Sequence, residues 1–182
     1  MNQSTKSLRS IRWLLGLFIA GLVFSGVTAI PLVTEVDFLT RLTGANEMVE
    51  RPASTDAPAW ARWLTSIQRS LHATAEQHPA LFYGTDWLAF GHIVIAIAFI
   101  GAWRDPVRNS WLIDFGLIAC ALVIPWALVF GHIRGIPLGW RLIDCSFGVL
   151  GAVPLYLCKK LIHDLTTDSL SPQQNRDAAA TH

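Results

Sequence analysis

Trp87-LAFGHIVIAIAFIGA-Trp103 holds 17 residues without a charged side chain and carries an indole at each end. As a helix it rises about 25 Å, close to the ~30 Å hydrocarbon core of a bilayer. Tryptophan favours the boundary between lipid and water, so the two indoles read as the ends of one crossing. Working outward, three more stretches have the same character, at residues 13–30, 111–130 and 138–158. All four fall within the roughly 17–25 residues that span a membrane. Together these 76 residues carry three formal charges (Asp114, Arg141 and Asp144), and the other 106 residues carry 24. Over the whole chain 15% of residues are charged, against about 25% in an average soluble domain.

That partition excludes a disordered chain and a disulfide scaffold, and it argues against a soluble globule. In lipid the backbone polar groups are satisfied internally, which favours helices. A β-barrel requires alternating segments of about ten residues, and the sequence has none. The expected fold is an all-α polytopic membrane protein, a bundle of four transmembrane helices with an amphipathic helical segment on the outer face.

Basic residues set the expected orientation, because they favour the cytoplasmic side of short loops. Residues 1–12 hold Lys6, Arg9 and Arg12, the loop 104–110 holds two arginines, and the tail 159–182 opens on Lys159-Lys160. The segment 31–86 has four basic residues diluted by seven acids, and the loop 131–137 has one, Arg134. This alternation places both termini in the cytoplasm and segments 31–86 and 131–137 outside. Trp13, Trp111 and Trp140 also stand at span ends. The basic start followed by an apolar run resembles a signal peptide. The run is long for one and three spans follow, so the first helix is expected to remain uncleaved.

Within 31–86, Trp60, Trp63, Leu64, Ile67 and Leu71 fall on one helical face, the spacing of an amphipathic helix. The expected helix covers about 59–76, lying in the headgroup region or packed as a lid over the bundle. A shorter helix is expected around 32–42, and 44–54 reads as loop. Gly16/Ala20 and Gly21/Ser25 are small pairs four apart that allow close helix approach. Pro125 and Pro154 fall inside spans, where proline tends to kink a helix. The polar tail is expected to be mostly disordered. Cys120, Cys145 and Cys158 form no CxxC pair and read as small apolar fillers. Phe90-GH-Ile93 and Phe130-GH-Ile133 match, but their flanks differ, so they are not read as a repeat.

Ionisable groups inside a membrane are costly, and each is a candidate functional group. An outer layer holds Asp86, His92, His132, Arg134, Arg141 and Asp144. From the 1.5 Å rise per residue, His92 lies roughly 7–8 Å below Trp87 and Asp144 roughly 9 Å below Leu138. Arg141 and Asp144 share a face at i, i+3 and can pair with each other, fixing helix register. Asp86 also reads as the N-cap of the second span. An inner layer of Arg104, Asp105, Arg108 and Asp114 reads as a structural clasp across a helical hairpin. His72 and His78 join His92 and His132 on the outer side. Histidine is the commonest metal ligand, but no HxxxH or HxH spacing occurs.

The blocks Tyr83-GTDWLAFG-His92, Asp105-PVR-Asn109, Ile133-RGI-Pro137 and Trp140-RLIDCSF-Gly148 resemble a family of small uncharacterised bacterial inner-membrane proteins. The resemblance covers about half the chain, spans two to four. It implies a bacterial inner membrane and carries no activity.

No nucleophile elbow, Walker loop, GxGxxG, HExxH or EF-hand pattern occurs, and the net charge of +1 makes no case for nucleic acid. The sequence therefore favours a non-enzymatic membrane protein that binds a partner or small ligand at its outer polar cluster. No cofactor is expected. The expected partners are the lipid bilayer and a membrane protein or a second copy. Two alternatives stand beside this reading: a metal- or haem-binding protein using His92 and His132, and an oligomeric transporter subunit.

Overall fold

The computed structural model describes the backbone of residues 3–50 and 57–180, and the side chains of 5–50 and 57–167. The described chain is all helix: α1 Gln3–Thr28, α2 Leu32–Thr43, α3 Ala45–Glu50, α4 Ala59–Gln77, α5 Tyr83–Arg104, α6 Ser110–Ile133 and α7 Leu138–Ala180. A 3₁₀ turn, Pro79–Phe82, leads into α5. Four segments are long and apolar enough to cross a membrane: Thr5–Thr28, Pro79–Arg104, Ser110–Ile133 and Leu138–Thr167. No more than 22% of the most apolar stretch of any of them is buried. Trp13, Phe24, Trp126 and Leu150 are all exposed. Soluble proteins rarely leave contiguous apolar surface on this scale. The chain is a multi-pass membrane protein, and lipid is the medium that these helix faces fit.

Two boundaries differ from the sequence reading. Gly44 adopts φ 65 and caps α2 through its N–H to the carbonyls of Arg41 and Thr40. The left-handed turn, open to glycine without a Cβ penalty, lets the chain re-enter helix at once as α3. The expected loop over 44–54 is therefore helical for Ala45–Glu50, and 51–54 lies outside the described residues. The tail expected to be disordered continues α7 as helix to Ala180. Extending an existing helix avoids the nucleation cost that a separate polar segment would face.

The chain divides into two compact units, Met1–Gly21 with Ile95–His182, and Leu22–Val94. In the first unit the largest fully buried side chains are Phe99, Ile11, Leu15, Ile113, Leu155 and Cys158. They come from α1, α5, α6 and α7, so four helical segments share one core. The Phe18 and Phe99 rings lie 4.8 Å apart between centroids. Gly116 of α6 makes room for this packing. A Cβ there would stand 2.6 Å from Leu155 Cδ1 and 2.9 Å from Phe99 Cζ.

In the second unit α4 packs on α2 and α3. Ala61, Leu64 and Thr65 are buried along its inner face, while Trp60 of the apolar stripe stays exposed. Thr65 Oγ1 donates to Asn46 Oδ1 at 3.2 Å. Gly26 of α1 lies against α5, where a Cβ would stand 3.0 Å from both the Ala89 carbonyl oxygen and His92 Cβ.

Candidate binding site at the α6–α7 hairpin

Arg134–Pro137 turns α6 into α7. Gly135, at φ 69, donates its N–H to the His132 carbonyl at 3.0 Å, and Ile136 donates to Gly131 at 2.8 Å. These are the bonds of a glycine-terminated helix end. The two helices then run back along each other. Arg141 Nη1 donates to the Leu128 carbonyl at 3.3 Å, and Cys145 Sγ donates to the Ile124 carbonyl at 3.8 Å. At Gly148 a Cβ would stand 2.5 Å from the Cys120 carbonyl oxygen. Positions 141, 145 and 148 thus meet the carbonyls of 128, 124 and 120 on successive turns, at the four-and-three spacing of a close helix seam.

Arg141 is the charged member of that seam. Its aliphatic stem covers Gly131, where a Cβ would clash with Cγ and Cδ at 2.6 Å. Its Nε is buried and has no hydrogen-bond partner among the described residues. The expected pairing with Asp144 is not formed, because Arg141 turns into the seam and Asp144 points away from it. Asp144 is exposed on the surface of α7, with Ile143 and Phe147 exposed beside it. His132 and Arg134 are exposed at the hairpin end. Among the described residues no ion pair engages any of these basic groups.

Asp86 and His92 belong to the other unit. Asp86 lies in the first turn of α5. The N-cap reading is corrected, since the helix already starts at Tyr83. The carboxylate there still complements the positive end of the helix. His92 Nδ1 donates to the Leu88 carbonyl at 2.8 Å. A carbonyl only accepts, so Nδ1 carries a proton.

The inner layer is built differently from the expected clasp. Asp114 pairs with Lys159 of α7, a cation that sequence spacing did not single out. Asp105 Oδ1 accepts from the Arg108 backbone N–H at 3.1 Å, forming a local turn. Arg104 contributes its carbonyl, which accepts from Arg12 Nη2 at 3.4 Å.

A further polar group, missed in the sequence, lies in the second unit. Asp37 of α2 accepts from Gln68 Nε2 at 2.7 Å and from His72 Nε2 at 2.9 Å. Gln68 and His72 stand at i, i+4 on α4, but nothing in the linear sequence points to Asp37. The Gln68 hydrogen bond, then that of His72, holds the Asp37 carboxyl below its ordinary value of 3.8. A depressed carboxylate contributes stability above its unfolded pKa and loses it as pH falls through the folded one. Asp37→Ala is therefore expected to loosen α2 from α4 by about 1–2 kcal/mol near pH 7, through two lost hydrogen bonds. Amide hydrogen exchange over α2 reads this. Protection should fall in the variant near neutrality, and the difference should vanish at pH well below 3.8. Equal protection of both proteins near neutrality would remove the Asp37 clamp from the account.

Among the described residues no group of three or more His, Cys, Asp and Glu side chains is placed to hold a metal ion. The metal alternative on His92 and His132 has no donor set of that size behind it. The chain matches no protein-family model, no curated protein and no solved structure.

Proposed function

We propose that the protein is a membrane-embedded binding subunit that docks a second transmembrane helix on the Asp144 face of α7. That helix comes from a partner membrane protein or another copy of this chain. The observation that carries this reading is the exposure of Asp144 about 9 Å inside the span, without an ion-pair partner among the described residues. Carboxyl groups at such depth are costly against hydrocarbon and normally face protein or water. A covering helix with a hydroxyl, amide or basic donor removes that cost, and Ile143 and Phe147 supply apolar area around it.

The site lies toward the outer leaflet of a bacterial inner membrane, with both termini in the cytoplasm. The basic residues of 1–12, 104–110 and 159–160 support that orientation, and the four sequence blocks resembling bacterial inner-membrane proteins support the location.

A photo-cross-linking residue at Phe147, activated in native membranes, tests the reading. The expected result is a protein adduct of defined mass that disappears in Asp144→Leu. The same probe at Ile118, exposed on α6, serves as the lipid-facing control. Lipid adducts alone at Phe147 would overturn the proposal.

A further inference from the structure

A groove of about 830 Å³ runs along the first half of α1 and is walled by Trp103 of α5. Its size is that of a small-molecule site. Its lining changes character along its length. Thr5, Leu8, Arg9 and Arg12 line its first part, and Trp13, Gly16, Leu17 and Ala20 continue it as a mostly apolar track. Among the described residues no acidic one lines it.

We propose that this groove binds one anionic phospholipid, with the phosphate at Arg9 and Arg12 and an acyl chain along the apolar track.

Three observations carry the assignment. Arg9 and Arg12 are i, i+3 neighbours on one helical face, where like charges repel. Among the described residues neither has a carboxylate partner, so an anion between them relieves the repulsion. Arg12 is also held in place, since its Nη2 reaches the Arg104 carbonyl at 3.4 Å and its guanidinium lies 6.0 Å from the Trp103 ring centre. A positioned guanidinium suits the paired oxygens of a phosphate diester. Gly16 leaves the floor of the groove open, with Trp103 Nε1 the nearest atom to a Cβ there, at 3.9 Å. Among the described residues that indole N–H makes no hydrogen bond, which leaves it available to an ester carbonyl of the bound lipid. Charge complementarity selects the occupant, because a symmetric contact with a second copy would bring the arginines of both copies together.

Native mass spectrometry of the full chain in mild detergent tests this, by titration with phosphatidylglycerol and phosphatidylcholine of identical chains. Phosphatidylglycerol should bind as one retained copy, at least tenfold tighter than phosphatidylcholine. The double variant Arg9→Gln/Arg12→Gln should lose that preference, a drop of roughly thirtyfold at about 1 kcal/mol per basic residue. Ala20→Trp, at an exposed position lining the track, should weaken both lipids without lowering the melting temperature. Inorganic phosphate at millimolar concentration should leave the bound lipid in place. Equal binding of the two lipids, unchanged binding in the double variant, displacement by inorganic phosphate, or a dimer in place of the lipid would each overturn the assignment.

Discussion

Gly148→Ala lowers the stability of the detergent-solubilised protein by about 2–3 kcal/mol, the upper range for overpacking a close-packed contact. The added methyl would stand 2.5 Å from the Cys120 carbonyl oxygen and 2.9 Å from Val123 Cγ1. The first of these atoms is helix backbone and cannot rotate aside, so α6 and α7 must separate. Separation also stretches the Arg141 and Cys145 bonds on the neighbouring turns. The thermal transition is expected to fall by roughly 5–10 °C. Gly91→Ala and Gly139→Ala are the matched controls, since a Cβ at either position meets nothing within 4 Å. Alanine is the better helix former, so these two should melt at or slightly above the parent temperature. Gly116→Ala should fall between, because the atoms it meets are side-chain ends of Leu155 and Phe99. A Gly148→Ala protein that melts with the controls would show that the seam is looser than described.

The second large effect concerns Arg141. Arg141→Met is expected to leave stability unchanged or raised and helix docking at Asp144 intact, because Arg141 turns into the α6–α7 seam while Asp144 faces outward. Methionine keeps a flexible stem over Gly131. It removes an Nε that is buried without an acceptor, an arrangement that costs about 1–3 kcal/mol. The bond given up, Nη1 to Leu128, is long at 3.3 Å. Exchanging a buried charge for an apolar group of similar volume is commonly neutral or stabilising. The paired measurements are the melting temperature and the yield of the Phe147 photo-adduct. A melting temperature that drops as far as in Gly148→Ala would show that the Arg141 bond to Leu128 holds the seam, and a lost adduct would place Arg141 against the docked helix.

Much of the architecture was legible in the chain because lipid imposes a simple rule. The seventeen uncharged residues from Trp87 to Trp103 have few other destinations, and the other three spans, with three charges among them, follow the same rule. The apolar spacing of Trp60, Leu64, Ile67 and Leu71 likewise identifies α4 as amphipathic. The small-residue seam was harder to see. The pairs noticed in the first span, Gly16/Ala20 and Gly21/Ser25, are not the tightest approach. Nothing lies within 4 Å of a Cβ at Gly21. The close contacts are at Gly116, Gly131, Gly148 and Gly151, while Gly139 of the same α7 helix meets nothing within 4 Å. Small residues permit approach, and only the partner helix decides where it happens.

The same division holds for the polar groups. Hydropathy and charge, read residue by residue, determined that the protein is all helix, that four segments suit lipid, and which ionisable groups lie within or beside them. These follow from the transfer of each side chain between water and hydrocarbon, a property that needs no neighbour. Tertiary structure alone decided that Asp114 meets Lys159, that Asp37 meets Gln68 and His72, and that Arg141 turns into the α6–α7 seam while Asp144 faces outward. A hydrogen bond or ion pair depends on geometry within a few tenths of an ångström between residues distant in sequence, and that geometry is set by how the helices pack.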